Sequence, residues 1–182
     1  MSERDANYYM RMCASCALHI HGATPQSYEY AANRTRRLLF MTGAHESGLW
    51  RWRRQHGFSE YSDGGAFGLW QCELGSIEAS VRAIARNTWL RNNVELWLNT
   101  WGSDVIDPSE YSAAQILLAL QRPEGDALSC LMARLHYFRV PEPFPGGLAD
   151  LAKYAKRYYN THLGKATCQD YRNAYERGWV NG

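Results

Sequence analysis

The chain of 182 residues has no long apolar stretch, and its beginning is charged. Nowhere do about 18 uncharged apolar residues follow one another, so we expect no membrane span. The first ten residues, MSERDANYYM, show no apolar segment behind a basic start. We therefore expect no secretory signal, and synthesis in a cytoplasm. Internal repeats and low-complexity segments are also absent, and the length is that of one domain.

Net charge is small as well, at +2 with an isoelectric point near 8.3. So mild an excess does not predict nucleic-acid binding by itself, although it is compatible with an anionic polymer as partner. One local concentration stands out: Arg51, Arg53 and Arg54 surround Trp52 in RWRRQHG. Such a run indicates either a solvated face or a binding site for an acidic ligand or nucleic acid.

Cysteines are few and their number is odd, so the five cannot all pair. Cys13 and Cys16 form a single CxxC, and no second pair or suitably spaced histidines complete a zinc site. His19 and His21 with Cys16 lack a fourth ligand. We predict no metal and no cofactor, and expect both cysteines on one buried face of the first helix.

Apolar residues make up 46% of the chain and aromatics 13%, which indicates a packed domain with surfaces for stacking flat ligands. Periodicity predicts a mainly α fold of about seven helices, with a loop or small hairpin over residues 48–75. Ser76 is a plausible N-cap, and Thr167 with Asp170 has the spacing of a capping pair. The predicted helices cover residues 5–21, 28–44, 76–101, 112–122, 126–138, 148–160 and 167–179.

Glu46 falls at or just past the end of the second predicted helix, beside Trp50. A carboxyl there, under an aromatic-rich loop, would be partly desolvated, which raises its pKa and suits it to general acid catalysis. The turn GGAFGLWQ follows some twenty residues later. Its small residues would let backbone amides approach a sugar, Gln71 offers a donor and an acceptor, and Trp70 or Trp50 could stack on a pyranose. Alternatively, Glu46 is an ordinary helix-terminal residue and the glycines only form turns.

HESGLW followed by FGLWQCE resembles the lysozyme-like superfamily of goose-type lysozymes and lytic transglycosylases. The resemblance spans residues 28–140 and implies a single lysozyme-like domain, with a helical pair at 148–179 after it. It implies that Glu46 is catalytic, and that Ser47 and the GLWQ motif line the sugar cleft. That motif consists of Gly68, Leu69, Trp70 and Gln71, with Trp where the family usually has Met.

The family's third motif carries a tyrosine that supports the catalytic glutamate. Its nearest counterpart here is Tyr137 in ARLHYFRVPEP, where the motif's Asn and Gly are missing. Tyr137 is therefore either this supporting residue, contacting the substrate cleft, or a core aromatic.

The two branches of the superfamily cleave the same bond, between N-acetylmuramic acid and N-acetylglucosamine. A lytic transglycosylase needs one protein carboxyl, whereas a goose-type hydrolase needs further carboxylates to hold water. Glu73 and Asp63 stand near the positions of that family's aspartates, which slightly favours hydrolysis. The alternatives are that Glu73 is merely solvated and that Asp63 forms a turn with Gly64.

Residues 155–167, AKRYYNTHLGKAT, resemble the ends of small lysozyme-like proteins of tailed bacteriophages. The resemblance implies a virion-associated peptidoglycan glycosidase that opens the host wall for genome delivery. Such a protein is made in the host cytoplasm, acts at the cell wall, and has glycan strands and other virion proteins as partners. A free endolysin, an inactive structural virion protein and a nucleic-acid-binding protein using the three arginines are the alternatives.

Overall fold

The computed structural model describes residues 5–21, 28–54, 65–101, 112–160 and 165–180. These residues are mainly helical, which confirms the predicted class, and they form eight α-helices where about seven were expected. In chain order the elements are α1 Ala6–His19, α2 Tyr28–Glu46, β1 Ala66–Phe67, β2 Cys72–Glu73, α3 Leu74–Arg86, α4 Thr88–Trp101, α5 Ala113–Ala119, a 3₁₀ turn Pro123–Gly125, α6 Asp126–Phe138, α7 Leu148–Tyr158 and α8 Cys168–Val180. Among the described helices, none is long and apolar enough to cross a membrane.

Helix α6 forms the centre of the core. Its sequence, DALSCLMARLHYF, is apolar on most sides, and nearly every residue of the helix is buried. Helices α1, α2, α3 and α4 all contact it. Elements that lie far apart in sequence are thereby held against one common helix.

The two cysteines of the CxxC lie on the buried face of α1, as predicted. Cys13 and Cys16 are free thiols with no exposed surface, and Cys130 of α6 packs against them. Burial raises the pKa of the Cys16 thiol, which keeps it protonated. Across the described ranges, no three His, Cys, Asp or Glu side chains are grouped closely enough to hold a metal ion.

The prediction of one long helix over residues 76–101 is wrong, because the chain breaks at Asn87. This residue adopts an extended conformation (φ −133°, ψ 101°), and its side-chain oxygen accepts the Leu90 amide at 3.0 Å. A short amide side chain competes with the helical backbone in this way, so Asn87 caps a new helix, α4. The prediction of Ser76 as N-cap is also wrong, because α3 begins at Leu74. The Ser76 hydroxyl instead lies 2.8 Å from Nδ1 of His136.

The C-terminal pair of helices matches its prediction closely. Asp170 accepts both the amide and the hydroxyl of Thr167 at 2.7 Å, and the Asp170 amide donates back to the Thr167 hydroxyl. This reciprocal capping starts α8. Helix α8 then packs against α2 and α7.

A hairpin occupies the end of the central loop, as the glycine-rich sequence suggested. Strands β1 and β2 are antiparallel, with Ala66 opposite Glu73 and Phe67 opposite Cys72. The GLWQ motif is the connecting turn. Gly68 at φ 76° and Gln71 at φ 49° adopt the left-handed conformation that reverses the chain.

Gly68→Ala should destabilise the protein, because an added Cβ would meet the Ser129 hydroxyl at 2.3 Å on a backbone that disfavours L side chains. We expect a loss of about 1–3 kcal/mol in the free energy of unfolding, measured by urea denaturation. Gly75→Ala is the matched control, since a Cβ there meets nothing within 4 Å. That variant should be neutral or stabilised by up to about 1 kcal/mol. Equal stability of the two variants would contradict the close approach of the turn to α6.

Candidate active site

Glu46 is the last residue of α2, and its side chain is half-buried. The hydroxyl of Tyr171 on α8 donates a hydrogen bond of 2.5 Å to its Oε1. The side chain of Asn160, just after α7, also bonds to this carboxyl, and Lys156 donates to Asn160 at 3.0 Å. Three helices therefore converge on one carboxyl group.

The pKa of Glu46 is raised above its ordinary value of 4.5. Burial is the largest cause, because it disfavours the charged form, and the nearby negative charge of Glu73 acts in the same direction. The hydrogen bonds from Tyr171 and Asn160 and the charge of Lys156 lower the pKa, but they do not offset burial. The result is a carboxyl that binds its proton more tightly than an exposed one.

The surroundings of Tyr171 keep its hydroxyl protonated, so that it can donate a hydrogen bond to Glu46. Its side chain has no exposed surface, and burial raises the pKa of the phenol, so it stays protonated. The ring lies 4.2 Å from that of His45, which precedes Glu46 on α2. Burial also lowers the pKa of His45, which favours its neutral form.

The hairpin turn reaches the end of α2 through Trp70. Its indole Nε1 donates to the Leu39 carbonyl at 2.8 Å, and the Tyr159 hydroxyl donates to the Trp70 carbonyl at 2.6 Å. Gly43, three residues before Glu46, leaves the space: a Cβ there would lie 2.6 Å from both Trp50 and Trp70. Burial raises the pKa of the Cys72 thiol on β2 to about 12, and the charge of Glu46 acts in the same direction.

Gln71 is the last residue of the connecting turn. Its Nε2 donates to the Gly68 carbonyl at 2.7 Å, while its buried Oε1 has no hydrogen-bond partner. Leaving a buried acceptor without a hydrogen-bond partner costs free energy. A donor group of a ligand that bonded to this oxygen would remove that cost.

Of the two further carboxylates predicted from the sequence, Glu73 and Asp63, the structure describes only Glu73. Glu73 is exposed, as its solvated alternative predicted, yet its charge acts on Glu46. Asp63 lies outside the described residues, as does Gly64.

Four residues predicted to line a sugar cleft have buried side chains that contact other parts of the protein. Ser47 donates to the Gly43 carbonyl at 2.6 Å and accepts the Trp50 amide at 2.7 Å. Leu69 and Trp70 have no exposed surface, and Tyr137 is 1% exposed. The Tyr137 hydroxyl lies 2.8 Å from that of Thr42, so Tyr137 is the core aromatic of the two alternatives.

The tyrosine that bonds Glu46 is Tyr171, which the sequence reasoning missed, together with Asn160. The capping pair Thr167–Asp170 predicted α8, and Tyr171 is in its first turn. No local pattern indicated that this turn faces Glu46, because 125 residues separate the two in sequence.

The arginine run is not a uniform solvated face. Arg53 donates two hydrogen bonds to the buried Asp126, at 2.7 and 2.8 Å, and the Tyr9 hydroxyl donates to the same carboxylate at 3.1 Å. Arg54 lies over the Phe67 ring at 5.3 Å. Arg51 and Trp52 are exposed. Only part of the run is therefore available to an acidic partner.

The backbone between Glu46 and these arginines is unusual. Gly48, Leu49 and Trp50 have φ values of 61°, 64° and 67°. Leu and Trp seldom adopt this conformation, which costs energy that the surrounding contacts must offset. The stacking of Trp50 on Tyr9 at 4.3 Å is one such contact.

Comparisons of the chain with family models, with curated proteins and with solved structures each found no match.

Tyr171→Phe should raise the pKa of Glu46 further, because it removes a hydrogen bond that favours the carboxylate. The measurement is the carboxyl carbon shift of Glu46 during an NMR titration. Tyr137→Phe is the matched control: it removes a buried hydroxyl that bonds to Thr42 instead. An unchanged Glu46 titration in Tyr171→Phe would contradict the assigned bond.

Glu46→Gln should stabilise the protein increasingly as pH rises. Because the folded-state pKa of Glu46 is raised, its contribution to stability is present below the unfolded value of 4.5 and is lost as pH rises through the folded value. The glutamine variant has no such loss. Urea unfolding from about pH 4 to about pH 8 should show its advantage growing with pH. Glu78→Gln, at an exposed position on α3, should show no such trend, and a constant difference for Glu46→Gln would contradict the raised pKa.

Proposed function

We propose that this protein is a peptidoglycan glycosidase that cleaves the bond between N-acetylmuramic acid and N-acetylglucosamine. One observation carries the proposal: a half-buried carboxyl with a raised pKa, Glu46, stands where α2 ends against the GLWQ hairpin. A carboxyl that keeps its proton at a higher pH than usual is what a glycosidase needs as general acid.

In the proposed reaction, Glu46 donates its proton to the glycosidic oxygen as the bond to the anomeric carbon breaks. The carboxylate that remains accepts hydrogen bonds from Tyr171 and Asn160, which favour the charged form. These two residues are positioning residues, since they touch Glu46 and not the sugar. Gln71 Oε1 would accept a hydroxyl or amide proton of the glycan.

Hydrolysis is the preferred form of the reaction. The charge of Glu73 is close enough to raise the pKa of Glu46, so a second carboxylate is available to hold water or to stabilise the electron-poor sugar. The alternative is a lytic transglycosylase, which needs Glu46 alone. The exposure of Glu73 favours that alternative, because a solvated carboxylate holds a water less firmly.

We further propose that the enzyme acts from a bacteriophage particle on the host wall, as the resemblance of residues 155–167 implies. A second candidate function is an inactive structural protein of the particle. The burial of Ser47, Leu69 and Trp70 favours it, because these motif residues would then serve packing only.

Glu46→Gln should lower the rate of clearing of purified sacculi by at least about 10²-fold, because glutamine cannot donate the proton. Wild-type activity should fall as pH rises through the pKa of Glu46. Glu78→Gln, exposed on α3, serves as the control and should retain full activity. Undiminished clearing by Glu46→Gln would refute the assigned role.

Mass spectrometry of the released muropeptides distinguishes the remaining alternatives. Reducing ends indicate hydrolysis, and anhydro ends indicate transglycosylation. No release from native, O-deacetylated or sonicated peptidoglycan would overturn the enzymatic proposal in favour of the structural one.

A further inference from the structure

A small depression lies between the end of α2, the turn that follows it and α8. Its volume is about 200 Å³, less than the roughly 300–1,000 Å³ of sites that enclose a whole small molecule. It would therefore hold one part of a larger ligand. The lining residues are Ala44, His45, Gly48, Leu49, Arg51, Asp170, Ala174 and Arg177.

The two walls of the depression are fixed by local structure. Asp170, Ala174 and Arg177 follow one another at helical spacing, so they share a face of α8. The opposite wall is the left-handed turn, in which the Leu49 amide donates to the Ala44 carbonyl at 2.7 Å. The backbone strain of this turn thus shapes the depression as well as ending α2.

Charge and polarity are distributed unevenly over this surface. Ala44, Leu49 and Ala174 provide apolar side chains, while Arg51 and Arg177 are exposed cations. The Arg51 Nε donates to the Gly48 carbonyl at 2.8 Å, and the Arg177 Nε donates to the Asn173 carbonyl at 3.3 Å. Both guanidinium groups are therefore anchored at the lining.

One anion, Asp170, also lines the depression. Its pKa is lowered by the bonds from Thr167 and by the nearby charge of Arg177, which favours the carboxylate form. The lining therefore carries both signs of charge. A ligand with carboxylates and an ammonium group would satisfy both signs of charge.

We propose that this depression is a subsite for the peptide stem of peptidoglycan, an inference that rests on the proposed function. The stem begins with alanine, continues with a carboxylate-bearing residue and then a diamino acid, so it offers a methyl group, carboxylates and an ammonium. Alanine would contact Leu49 and Ala174, carboxylates would bind Arg51 and Arg177, and the ammonium would lie toward Asp170. The site adjoins the reaction centre, because His45 lies against Tyr171, which bonds Glu46.

The direct test is binding of the synthetic tripeptide L-alanyl-γ-D-glutamyl-L-lysine, which has no glycosidic bond, followed by NMR of the methyl groups. We expect shifts at Leu49 and Ala174. Arg51→Gln and Arg177→Gln should each weaken binding by about tenfold, the typical effect of losing a charge-assisted hydrogen bond. Arg82→Gln, an exposed arginine on α3, should bind as the wild type does.

Inorganic phosphate is the competing probe. If phosphate binds this surface as tightly as the tripeptide, the depression is a general anion site and the proposal is overturned. It is equally overturned if the tripeptide causes no methyl shifts, or if both arginine variants bind it like the wild type.

A kinetic test links the subsite to the reaction. Arg177→Gln should raise KM for strands that carry stems more than for strands stripped of them by an amidase, whereas Arg82→Gln should change neither. A change shared equally by both substrates would overturn the subsite. Tripeptide binding without any muropeptide release would support the subsite and contradict the proposed glycosidase function. Muropeptide release without tripeptide binding would support the glycosidase function and contradict the subsite.

Discussion

The bond between Tyr171 and Glu46 is the contact on which the site depends. It joins the end of α2 to the first turn of α8, and it gives a half-buried carboxyl a partner that water would otherwise supply. Burial and hydrogen bonding act on this group in opposite directions, and burial prevails. The carboxyl is therefore protonated more readily than an exposed one, yet its charged form is not left without donors.

Packing around small residues brings the other parts of the site to this bond. Gly43 leaves room for Trp50 and Trp70, and Gly68 lets the turn approach Ser129 of α6. Trp70 then fixes the hairpin to α2 through the Leu39 carbonyl. The motif residues that a resemblance would assign to substrate contact thus act first as packing elements, while the buried Oε1 of Gln71 has no hydrogen-bond partner.

The strained turn after Glu46 has two consequences. It follows Glu46 directly at the end of α2, and it forms one wall of the depression that α8 completes. The proposed acid and the proposed peptide subsite are therefore built on the same two elements. A substrate with both a glycan strand and a peptide stem would bind across the junction of α2 and α8.

The sequence alone determined the helical class, the position of Glu46 at the end of α2, the hairpin, the buried CxxC and the capping of α8, because each follows from periodicity or from contacts a few residues apart. It did not predict the break at Asn87, where a local side-chain bond outweighs a continuous apolar stripe. Nor could it choose Tyr171 over Tyr137 as the partner of Glu46, or show that Arg53 is bound to Asp126. Those assignments were decided by tertiary structure, since the packing of α8 and α6 against α2 joins residues whose separation in sequence carries no periodic signal.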